Sequence, residues 1–351
     1  MKRIDRRENS AINPESVKIA FEEWFNELNI DYFYETKVYD ALVENSSLKG
    51  VHLATPEGPV LLKAPLFIDA TGDGALAAAA GVPYTVGRES DNLCQGASLS
   101  FQIGGIDKSI DIAALPQSFG QPYMTPSGEL NELAKAHLTP PAGHVLLHKT
   151  AEEGVAMANM TNAVKFDCTS AKERTQAISL CRRQMREIVD FLKQYVPGFE
   201  NCYLHSSASQ FGIRESRHFH GLYTLNEKDI VCGRVFDDWI STNNYFCFDV
   251  HSVTGSGLDE SGSLDGGIIR PYTIPRSACI PTGIGNLLLC GRNISATSLA
   301  HSSFRVMPIC MNIGHGVGVV AANALEENCA PIETNIGKIH NELIKQGVIP
   351  Q

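Results

Sequence analysis

Residues 66–77 read LFIDATGDGALA, and this stretch decides the fold. No polar side chain precedes Asp69, which is typical of a short strand that is covered on both sides. Gly72 and Gly74 follow the strand, where glycine allows another backbone or a ligand to approach closely. Asp73 stands where it can cap the small-residue helix that begins next. Taken alone, the stretch fits a capped strand–helix turn and a cofactor contact equally well.

A second stretch, residues 286–296, reads NLLLCGRNISA and repeats the pattern of an apolar strand that ends in glycine. In an open α/β sheet, ligands lie outside the carboxyl ends of the strands. We therefore predict that the strands at 66–70 and 286–290 are neighbours in one sheet. Gly72 and Gly291 are then expected to line one crevice, although they lie far apart in the chain.

A third stretch, residues 304–318, reads FRVMPICMNIGHGVG. Its small residues predict a helix over 308–326 that packs closely against a sheet. Amides near the start of such a helix can hold partial negative charge on a flavin ring. The alternative is tight helix packing alone, with Arg305 in an ordinary ion pair.

Outside these stretches, the pattern predicts further regular elements. Asn13, Pro14 and Glu15 suit the start of a helix. An apolar face at helical spacing follows them: Val17, Phe21, Trp24, Phe25 and Leu28. Strands are expected over 30–43, 48–54 and 59–63, and helices over 170–195 and 335–346.

Composition and charge restrict the class of protein. The chain has 351 residues, of which 43% are hydrophobic and 19% charged, so it can bury a substantial core and form two domains. Its net charge of −10 argues against a nucleic-acid partner, which requires clustered Lys and Arg. No apolar stretch is expected to approach the roughly 20 residues that span a bilayer, and Met1–Asp5 lack a secretory signal's apolar core. We expect a soluble, cytoplasmic protein with no membrane partner.

The ten cysteines are scattered from Cys94 to Cys329 without a C-x-x-C pair. Thiolate metal sites usually need closely spaced ligands to complete a tetrahedron. We therefore expect buried thiols and no metal site.

The three stretches and their order resemble the FAD-dependent oxidoreductase family, whose members share the two-dinucleotide-binding-domain FAD fold of the glutathione-reductase type. Further segments that carry the resemblance are Gly212–Arg217 (GIRESR), Phe248–His251 (FDVH) and Ile274–Ser277 (IPRS). The resemblance implies a flavoprotein that transfers a hydride between a small-molecule substrate and FAD. It also implies an α/β fold, with a three-layer FAD/NAD(P)-binding domain in residues 1–88 and 274–328. An inserted α+β substrate domain is expected in 89–273 and a C-terminal helix in 329–351.

One departure from the family concerns the N-terminus. Family members begin with a strand, a G-x-G-x-x-G loop and a helix whose amides bind the FAD pyrophosphate, and no such unit precedes Asn13. Gly104-Gly105 is no substitute, because no helix with the right glycine spacing follows it. We therefore expect a truncated enzyme, or one whose βαβ unit lies on a separate chain. The alternative is a non-enzymatic remnant or binding domain that has lost FAD.

The resemblance also assigns residues to the cofactor. Those expected on the adenosine and pyrophosphate side are Val38, through its backbone, with Thr71, Gly72 and Asp73. Those expected near the ribityl chain and pyrophosphate are Gly291 and Arg292. Those expected beside the flavin ring are Arg305, Asn312, Gly314, His315 and Gly316. Two smaller departures are Asn293, where related flavoproteins often have an acid, and His315, where a Gln is more usual.

Catalytic residues are harder to identify, because the flavin itself performs the hydride transfer. Asp249 and His251 are two apart on an expected strand and therefore on one face, which allows an acid–imidazole pair. A surface or core hydrogen bond is the alternative. Arg305 is a further candidate, because the resemblance places it beside the flavin.

Two arginines, Arg214 and Arg217, complete the catalytic candidates. Either can bind an anionic substrate or stabilise reduced flavin, although Glu215 between them offers a purely structural ion pair. The isolated histidines are more typical of satisfied polar residues than of ligands or bases: His218, His220 and His301.

Overall fold

The computed structural model describes residues 13–262 and 269–351. These residues form two compact units, each built from three separate segments of the chain. Unit 1 takes the residues up to Tyr34, Cys94–Arg214 and His251–Leu258. Unit 2 takes Glu35–Leu93, Glu215–Val250 and Asp259–Gln351. The predicted absence of a secretory signal concerns Met1–Asp5, which lie outside the described residues.

The regular elements are numbered in chain order. The α-helices are α1 Pro14–Glu27, α2 Ala75–Ala79, α3 Leu130–His137, α4 Ala171–Tyr195, α5 Glu227–Val231, α6 Ser298–Phe304, α7 Met307–Glu327 and α8 Ile336–Lys345. The strands are β1 Lys37–Glu44, β2 Ser47–Thr55, β3 Gly58–Leu62, β4 Phe67–Asp69, β5 Tyr84–Val86, β6 Phe101–Gly104, β7 Met124–Thr125, β8 Gly128–Glu129, β9 Leu147–Lys149, β10 Ala156–Ala158, β11 Tyr203–Ser207, β12 Arg217–Phe219, β13 Trp239–Asn244, β14 Tyr272–Pro275 and β15 Leu287–Leu289. Short 3₁₀ helices lie at Ile112–Ala114, Glu260–Gly262 and Arg276–Cys279.

In unit 2, β4 and β15 pair in parallel, which confirms the central prediction from the sequence. Leu287 lies opposite Phe67, and Leu289 lies opposite Asp69. The carboxyl ends of both strands therefore meet at one edge. The predicted meander is also present, because β1, β2 and β3 form an antiparallel sheet in that order, although the first strand begins at Lys37 and not near residue 30. Two further antiparallel pairs, β5 with β12 and β13 with β14, complete the strands of unit 2 among the described residues.

The two strands of the parallel pair differ in burial. Leu287, Leu288 and Leu289 are fully buried, as predicted. In β4, Phe67 and Asp69 face the core, whereas Ile68 points the other way and is 41% exposed. The prediction that β4 is covered on both sides is therefore wrong, because only one face of the strand is packed against the rest of unit 2.

The core of unit 2 is completed by α7, which packs against β13 and β15. The predicted helix over 308–326 is thus confirmed. Among the described residues, α7 alone is long and apolar enough to cross a membrane by length and composition, and 50% of its most apolar window is buried within the protein.

Unit 1 has its own core between a sheet and α4. The sheet is antiparallel in the order β11, β6, β10, β9. Helix α4 is capped by Ser170, whose side chain accepts from the Glu173 amide, and it ends before Pro197, as the sequence predicts. Its buried face includes Cys181, Met185 and Ile188.

Helix α1 begins as predicted but packs differently. The Asn13 side chain caps it by accepting from the amides of Glu15 and Ser16. The expected apolar face is not buried, since Leu28 is 68% exposed and Ala20 is the buried residue of the helix. The aromatic side chains of this face pack instead on one another and on Tyr32.

The compact units divide the described residues differently from the predicted domains. Residues 13–34 lie in unit 1. Unit 2, which holds the parallel strand pair, also takes residues 89–93, 215–250, 259–262, 269–273 and 329–351. The assignment of residues 1–88 and 274–328 to one functional domain and of 89–273 to another remains a prediction.

Candidate functional site

The carboxyl end of β4 is organised by Asp69, which is only 1% exposed. Its carboxylate accepts from the amide and hydroxyl of Thr71, at 2.9 and 2.7 Å, and from the Ala77 amide at 2.8 Å. The Thr71 hydroxyl is 2.8 Å from the Ala75 amide. Asp69 and Thr71 therefore satisfy the first amides of α2, and the prediction that Asp73 caps this helix is wrong.

Asn293 fixes the end of β15 against the end of β4. It is fully buried; its amide nitrogen donates to the Asp69 carbonyl at 2.9 Å, and its side-chain oxygen accepts from the Cys290 amide at 3.1 Å. A carboxylate could accept from Cys290 but could not donate to Asp69. The asparagine is thus required by the joint between the strands, which accounts for the departure noted at this position.

An ion pair crosses the two strand ends. Arg292 Nη2 lies 2.8 Å from Asp73 Oδ1, and the Ser216 hydroxyl donates to the same carboxylate oxygen at 3.0 Å. Arg217 donates to the Asp73 backbone carbonyl, also at 3.0 Å. The structure therefore brings together Asp73 and Arg292, which the sequence assigned to one site, and adds Ser216 and Arg217 to them.

The glycines at the strand ends have different surroundings. Gly72 has φ +78° and the Arg292 guanidinium packs directly over it, so a side chain there would displace the arginine. Gly291 has φ +88°, and no atom lies within 4 Å of the position that a Cβ on it would take. Open space therefore begins beside Gly291, at the joined strand ends.

A second polar network surrounds Glu215, which is 1% exposed. His218 Nε2 lies 2.9 Å from Glu215 Oε1, and the Ser298 hydroxyl donates to the same oxygen. The His218 ring meets His301 edge-on, with 5.2 Å between centroids. Burial, followed by the charges of His218 and Arg305, lowers the pKa of His301 well below its usual value. His301 is therefore a neutral imidazole near pH 7.

Arg305 is held beside these networks by Asp249. One guanidinium nitrogen donates to the Asp249 backbone carbonyl at 2.5 Å and to its carboxylate at 3.1 Å. Burial is the main cause that lowers the pKa of Arg305, and the nearby Asp249 and Glu215 charges oppose it. The ion pair foreseen as the structural alternative for Arg305 is thus present.

Three buried nitrogen atoms of this cluster have no hydrogen-bond partner anywhere in residues 13–262 and 269–351: Arg217 Nε, Arg292 Nε and His301 Nδ1. A buried polar group without a partner costs about 1–3 kcal/mol. The two guanidinium nitrogens are donors that suit anionic oxygens. The His301 ring makes a backbone hydrogen bond to Arg292 that raises its pKa, so its proton lies on that side and Nδ1 is left as an acceptor. The set fits a ligand that carries both phosphate oxygens and hydroxyls, as a dinucleotide does.

Other residues assigned to the cofactor have structural partners. The Asn312 side chain donates to the Thr242 carbonyl at 3.0 Å, and Gly316 packs against the backbone of Ile240 in β13. The His315 ring contacts the C-terminal end of α8, where its Nε2 lies 2.5 Å from Oε1 of the C-cap residue Gln346.

Two further cofactor candidates, Gly314 and Val38, lie in different parts of unit 2. A Cβ on Gly314 would lie 3.6 Å from the Cys290 sulfur, which places this glycine near the end of β15. Val38 is paired with Leu53 in the meander and packs against the core of unit 2.

The predicted pair of Asp249 and His251 rests on a strand that is not present. The chain at Tyr245–Val250 is irregular, because the Ser303 hydroxyl and Arg305 occupy the carbonyls of Phe246 and Asp249 that a strand partner would use. Asp249 belongs to unit 2 and His251 to unit 1. The catalytic assignment of both residues remains a prediction.

In unit 1, Arg214 and His251 lie near a histidine that the sequence analysis did not single out. Arg214 donates to the Gly96 carbonyl at 2.5 Å, and the His251 amide donates to Gln95 Oε1 at 2.8 Å. His144 is buried, and both residues act on it electrostatically. Burial lowers the pKa of His144 to about 4. Nothing in the local sequence marks His144, because its partner, the Asn159 carbonyl, and its burial depend on the tertiary fold.

Within the described residues, no group of three or more His, Cys, Asp or Glu side chains is arranged to hold a metal ion. The polar cluster at the strand ends is instead dominated by arginines that face carboxylates.

Comparison with known proteins gives one family. The profile of the family described as "FAD dependent oxidoreductase" matches residues 2–343. No curated protein matches the chain.

Solved structures match over most of the chain at low identity. L-proline dehydrogenase from P. horikoshii is 13% identical, with a TM-score of 0.39; the match covers 91% of this chain and 56% of that one. A geranylgeranyl bacteriochlorophyll reductase-like protein from Thermoplasma acidophilum is 11% identical, with a TM-score of 0.46; the match covers 95% of this chain and 59% of that one. The chain thus spans less than two thirds of either structure.

Proposed function

The chain belongs to the FAD dependent oxidoreductase family, and we propose that unit 2 holds FAD at the joined carboxyl ends of β4 and β15. The fold proposed for the whole protein is the FAD-binding fold of the glutathione-reductase type. The proposed activity is hydride transfer between a small-molecule substrate and the flavin, which FAD supplies when bound.

One observation carries this proposal: the buried Arg217 Nε, Arg292 Nε and His301 Nδ1 lack partners at the strand ends. Arg217 and Arg292 are the residues proposed to bind the pyrophosphate oxygens, because both guanidinium groups also contact Asp73 and are therefore held in place. Gly291 leaves open space beside them. His301 is proposed to accept from a ligand hydroxyl.

Arg305 is proposed to supply positive charge near the reacting part of the ligand. Its side chain is only 10% exposed, and Asp249 fixes its guanidinium through both the backbone and the carboxylate. A buried, prepositioned cation stabilises developing negative charge more strongly than one in water. Asp249 is thus a positioning residue for Arg305 in this proposal.

We also propose that tight FAD binding needs a further βαβ unit, on a separate chain or elsewhere in a longer protein. Two exposed features of unit 2 support this. Ile68 leaves the outer face of β4 uncovered at 41% exposure. Met307 and Met311, at 75% and 63%, begin an exposed face of α7 that continues through Gly318, Ala322 and Leu325. An apolar strand face and an apolar helix face of this kind are typical of surfaces that another element covers.

A second candidate function is a binding domain that has lost FAD. The Asp73–Arg292 ion pair favours it, because the acid satisfies part of the arginine without any ligand. The two proposals differ in whether Arg292 Nε and Arg217 Nε bind a ligand.

Titration with FAD, followed by flavin fluorescence and absorbance, tests the proposal. We expect the 351-residue chain alone to bind FAD weakly or not at all, and a mixture or fusion with a G-x-G-x-x-G βαβ segment to bind it stoichiometrically. In the form that binds, Arg292→Gln should weaken affinity by roughly 10- to 100-fold, the loss of a hydrogen bond to a charged group. Arg182→Gln, at an exposed position of α4, is the matched control.

Two outcomes contradict parts of the proposal. Stoichiometric, tight binding by the chain alone would mean that no further βαβ unit is needed. Absence of binding in every form, with unit 2 folded, would favour the domain that has lost FAD.

A further inference from the structure

Two cysteines of unit 1 meet although they are 74 residues apart in the chain. The sulfur atoms of Cys94 and Cys168 lie 3.6 Å from each other. Cys94 is partly exposed, and Cys168 is 1% exposed. We propose that Cys94 and Cys168 form a reversible disulfide, so that unit 1 carries a thiol–disulfide site. This inference does not depend on FAD binding.

Both backbones are held so that the sulfurs stay close. Three residues after Cys94, Ala97 exchanges two backbone hydrogen bonds with Ala163, at 2.9 and 2.8 Å. Cys168 lies two residues before the N-cap of α4, and its carbonyl accepts from Arg174 Nε. A disulfide has an S–S distance of about 2.05 Å. The sulfurs, now 3.6 Å apart, must therefore approach by about 1.5 Å to form the bond.

The other thiols of unit 1 are poorer candidates. Burial raises the pKa of Cys181, and it raises the pKa of Cys202 to about 11. The thiolate is the reactive form of cysteine, so the raised pKa values slow the reactions of these two thiols. The Cys202 thiol also has a backbone acceptor, the Val189 carbonyl at 3.8 Å.

Hydrogen peroxide can accept the two electrons that the two thiols lose when they form the disulfide. The partly exposed Cys94 thiol attacks one peroxide oxygen, which gives a sulfenic acid and one water. The Cys168 thiol then attacks the Cys94 sulfur, the S–O bond breaks, and a second water leaves with the thiol proton. Two thiols thus lose two electrons in total, and one peroxide is reduced to two waters. A dithiol reductant reverses the change by thiol–disulfide exchange.

The disulfide has a structural consequence at the neighbouring residue. Gln95, which is 2% exposed, accepts from the His251 amide at 2.8 Å. Oxidation ties the segment that carries Gln95 to the start of α4. The amide of His251 should therefore open less often when the disulfide is present.

Peptide mapping tests the proposal with the 351-residue chain. Trypsin cuts after Arg88 and Lys108 and after Lys165 and Lys172, so each cysteine falls in a peptide that holds no other. After treatment with equimolar peroxide, we expect peptides 89–108 and 166–172 to be linked. Thiols counted in denaturant should fall from the ten of the sequence to about eight. Dithiothreitol should restore them.

Variants and hydrogen exchange make the test specific. Cys94→Ser and Cys168→Ser should each abolish the linked peptide, whereas Cys232→Ser, at an exposed cysteine, should leave it unchanged. Exchange of the His251 amide should slow by roughly tenfold on oxidation in the wild type and not in either variant. A link between other cysteines, or no link while the protein stays folded, would overturn the proposal.

Discussion

The polar side chains at the strand ends are arranged around the Asp73 carboxylate. Asp73 accepts from Ser216 and Arg292 through its side chain and from Arg217 through its backbone. Asp69, four residues earlier, has a different task and satisfies the amides of the turn. Asp69 thus stabilises the local backbone, and Asp73 forms the long-range ion pair with Arg292. We expect substitution of Asp69 to affect the turn and substitution of Asp73 to affect the position of Arg292.

The buried histidine His144 makes the folding stability of the protein depend on pH. Burial lowers the pKa of His144 from 6.5 to about 4 in the folded state. Below pH 6.5 the unfolded chain binds a proton that the folded chain excludes, so folding stability falls as the pH is lowered from 6.5 towards 4. The difference corresponds to about 3 kcal/mol for this residue.

Urea unfolding at pH 7, 5.5 and 4.5 measures this effect. We expect His144→Gln to lose less stability on acidification than the wild type, whatever its stability at pH 7. His220→Gln, at an exposed position, is the control and should follow the wild type. Equal slopes for His144→Gln and the wild type would mean that His144 is not a buried neutral imidazole.

At the scale of elements, two glycines of α7, Gly316 and Gly318, have different surroundings. Gly316 faces β13, where a Cβ would lie 2.8 Å from the Ile240 Cβ and 2.9 Å from its carbonyl carbon. Gly318, two residues on, faces open space. The glycine at 316 is therefore explained by close packing, which was the alternative to a flavin contact.

Alanine at these two positions is a matched pair. Gly316→Ala is expected to destabilise the protein by about 1–3 kcal/mol, because the helix must move away from β13. Gly318→Ala should stabilise it by up to about 1 kcal/mol through helix propensity. Thermal and urea unfolding of both variants provide the measurement. If Gly316→Ala were as stable as Gly318→Ala, the helix would not be packed as closely as described.

The sequence predicts elements better than it predicts what covers them. The apolar strands at β4 and β15, the cap of α1 and the long helix α4 all follow from local patterns and are present. The exposure of Ile68 in β4 and of Leu28 in α1 does not follow, since burial depends on neighbours that are distant in the chain. The strand expected at Asp249 failed for the same reason, because a distant arginine occupies its carbonyl.

The candidate site was predictable to a similar extent. The glycines and Arg292 stand out because they follow apolar strands, and the structure joins Arg292 to Asp73 across 219 residues. Ser216 lies in the Gly212–Arg217 segment and His301 is one of the isolated histidines, but no local pattern shows that either residue reaches the strand ends. Asn312 and Gly316 share the motif but face β13, which periodicity alone does not reveal.

At the scale of the whole molecule, the two units have separate cores, and the proposed cofactor residues all belong to unit 2. Ligand binding should therefore protect unit 2 selectively. With free FAD at 100 times its Kd, we expect amides of β4 and β15 that exchange only when FAD is released to slow by about 100-fold.

Hydrogen exchange with mass spectrometry measures this in the form that binds FAD. The amides of α4 in unit 1 serve as the internal control and should exchange at an unchanged rate. Equal protection of α4 and β15 would show that the ligand does not act through unit 2 alone.

The interleaving of the two units also bears on how the chain is made. Ribosomes release the N-terminal end first, and all three segments of unit 1 have been synthesised once Leu258 is added. Strand β4 emerges early but must wait for β15, since Asp69 and its partner Asn293 are 224 residues apart. During that interval β4 lacks its parallel partner strand, and pairing over so long a separation is slow. We therefore expect nascent unit 2 to depend more on protection by chaperones during translation than nascent unit 1 does.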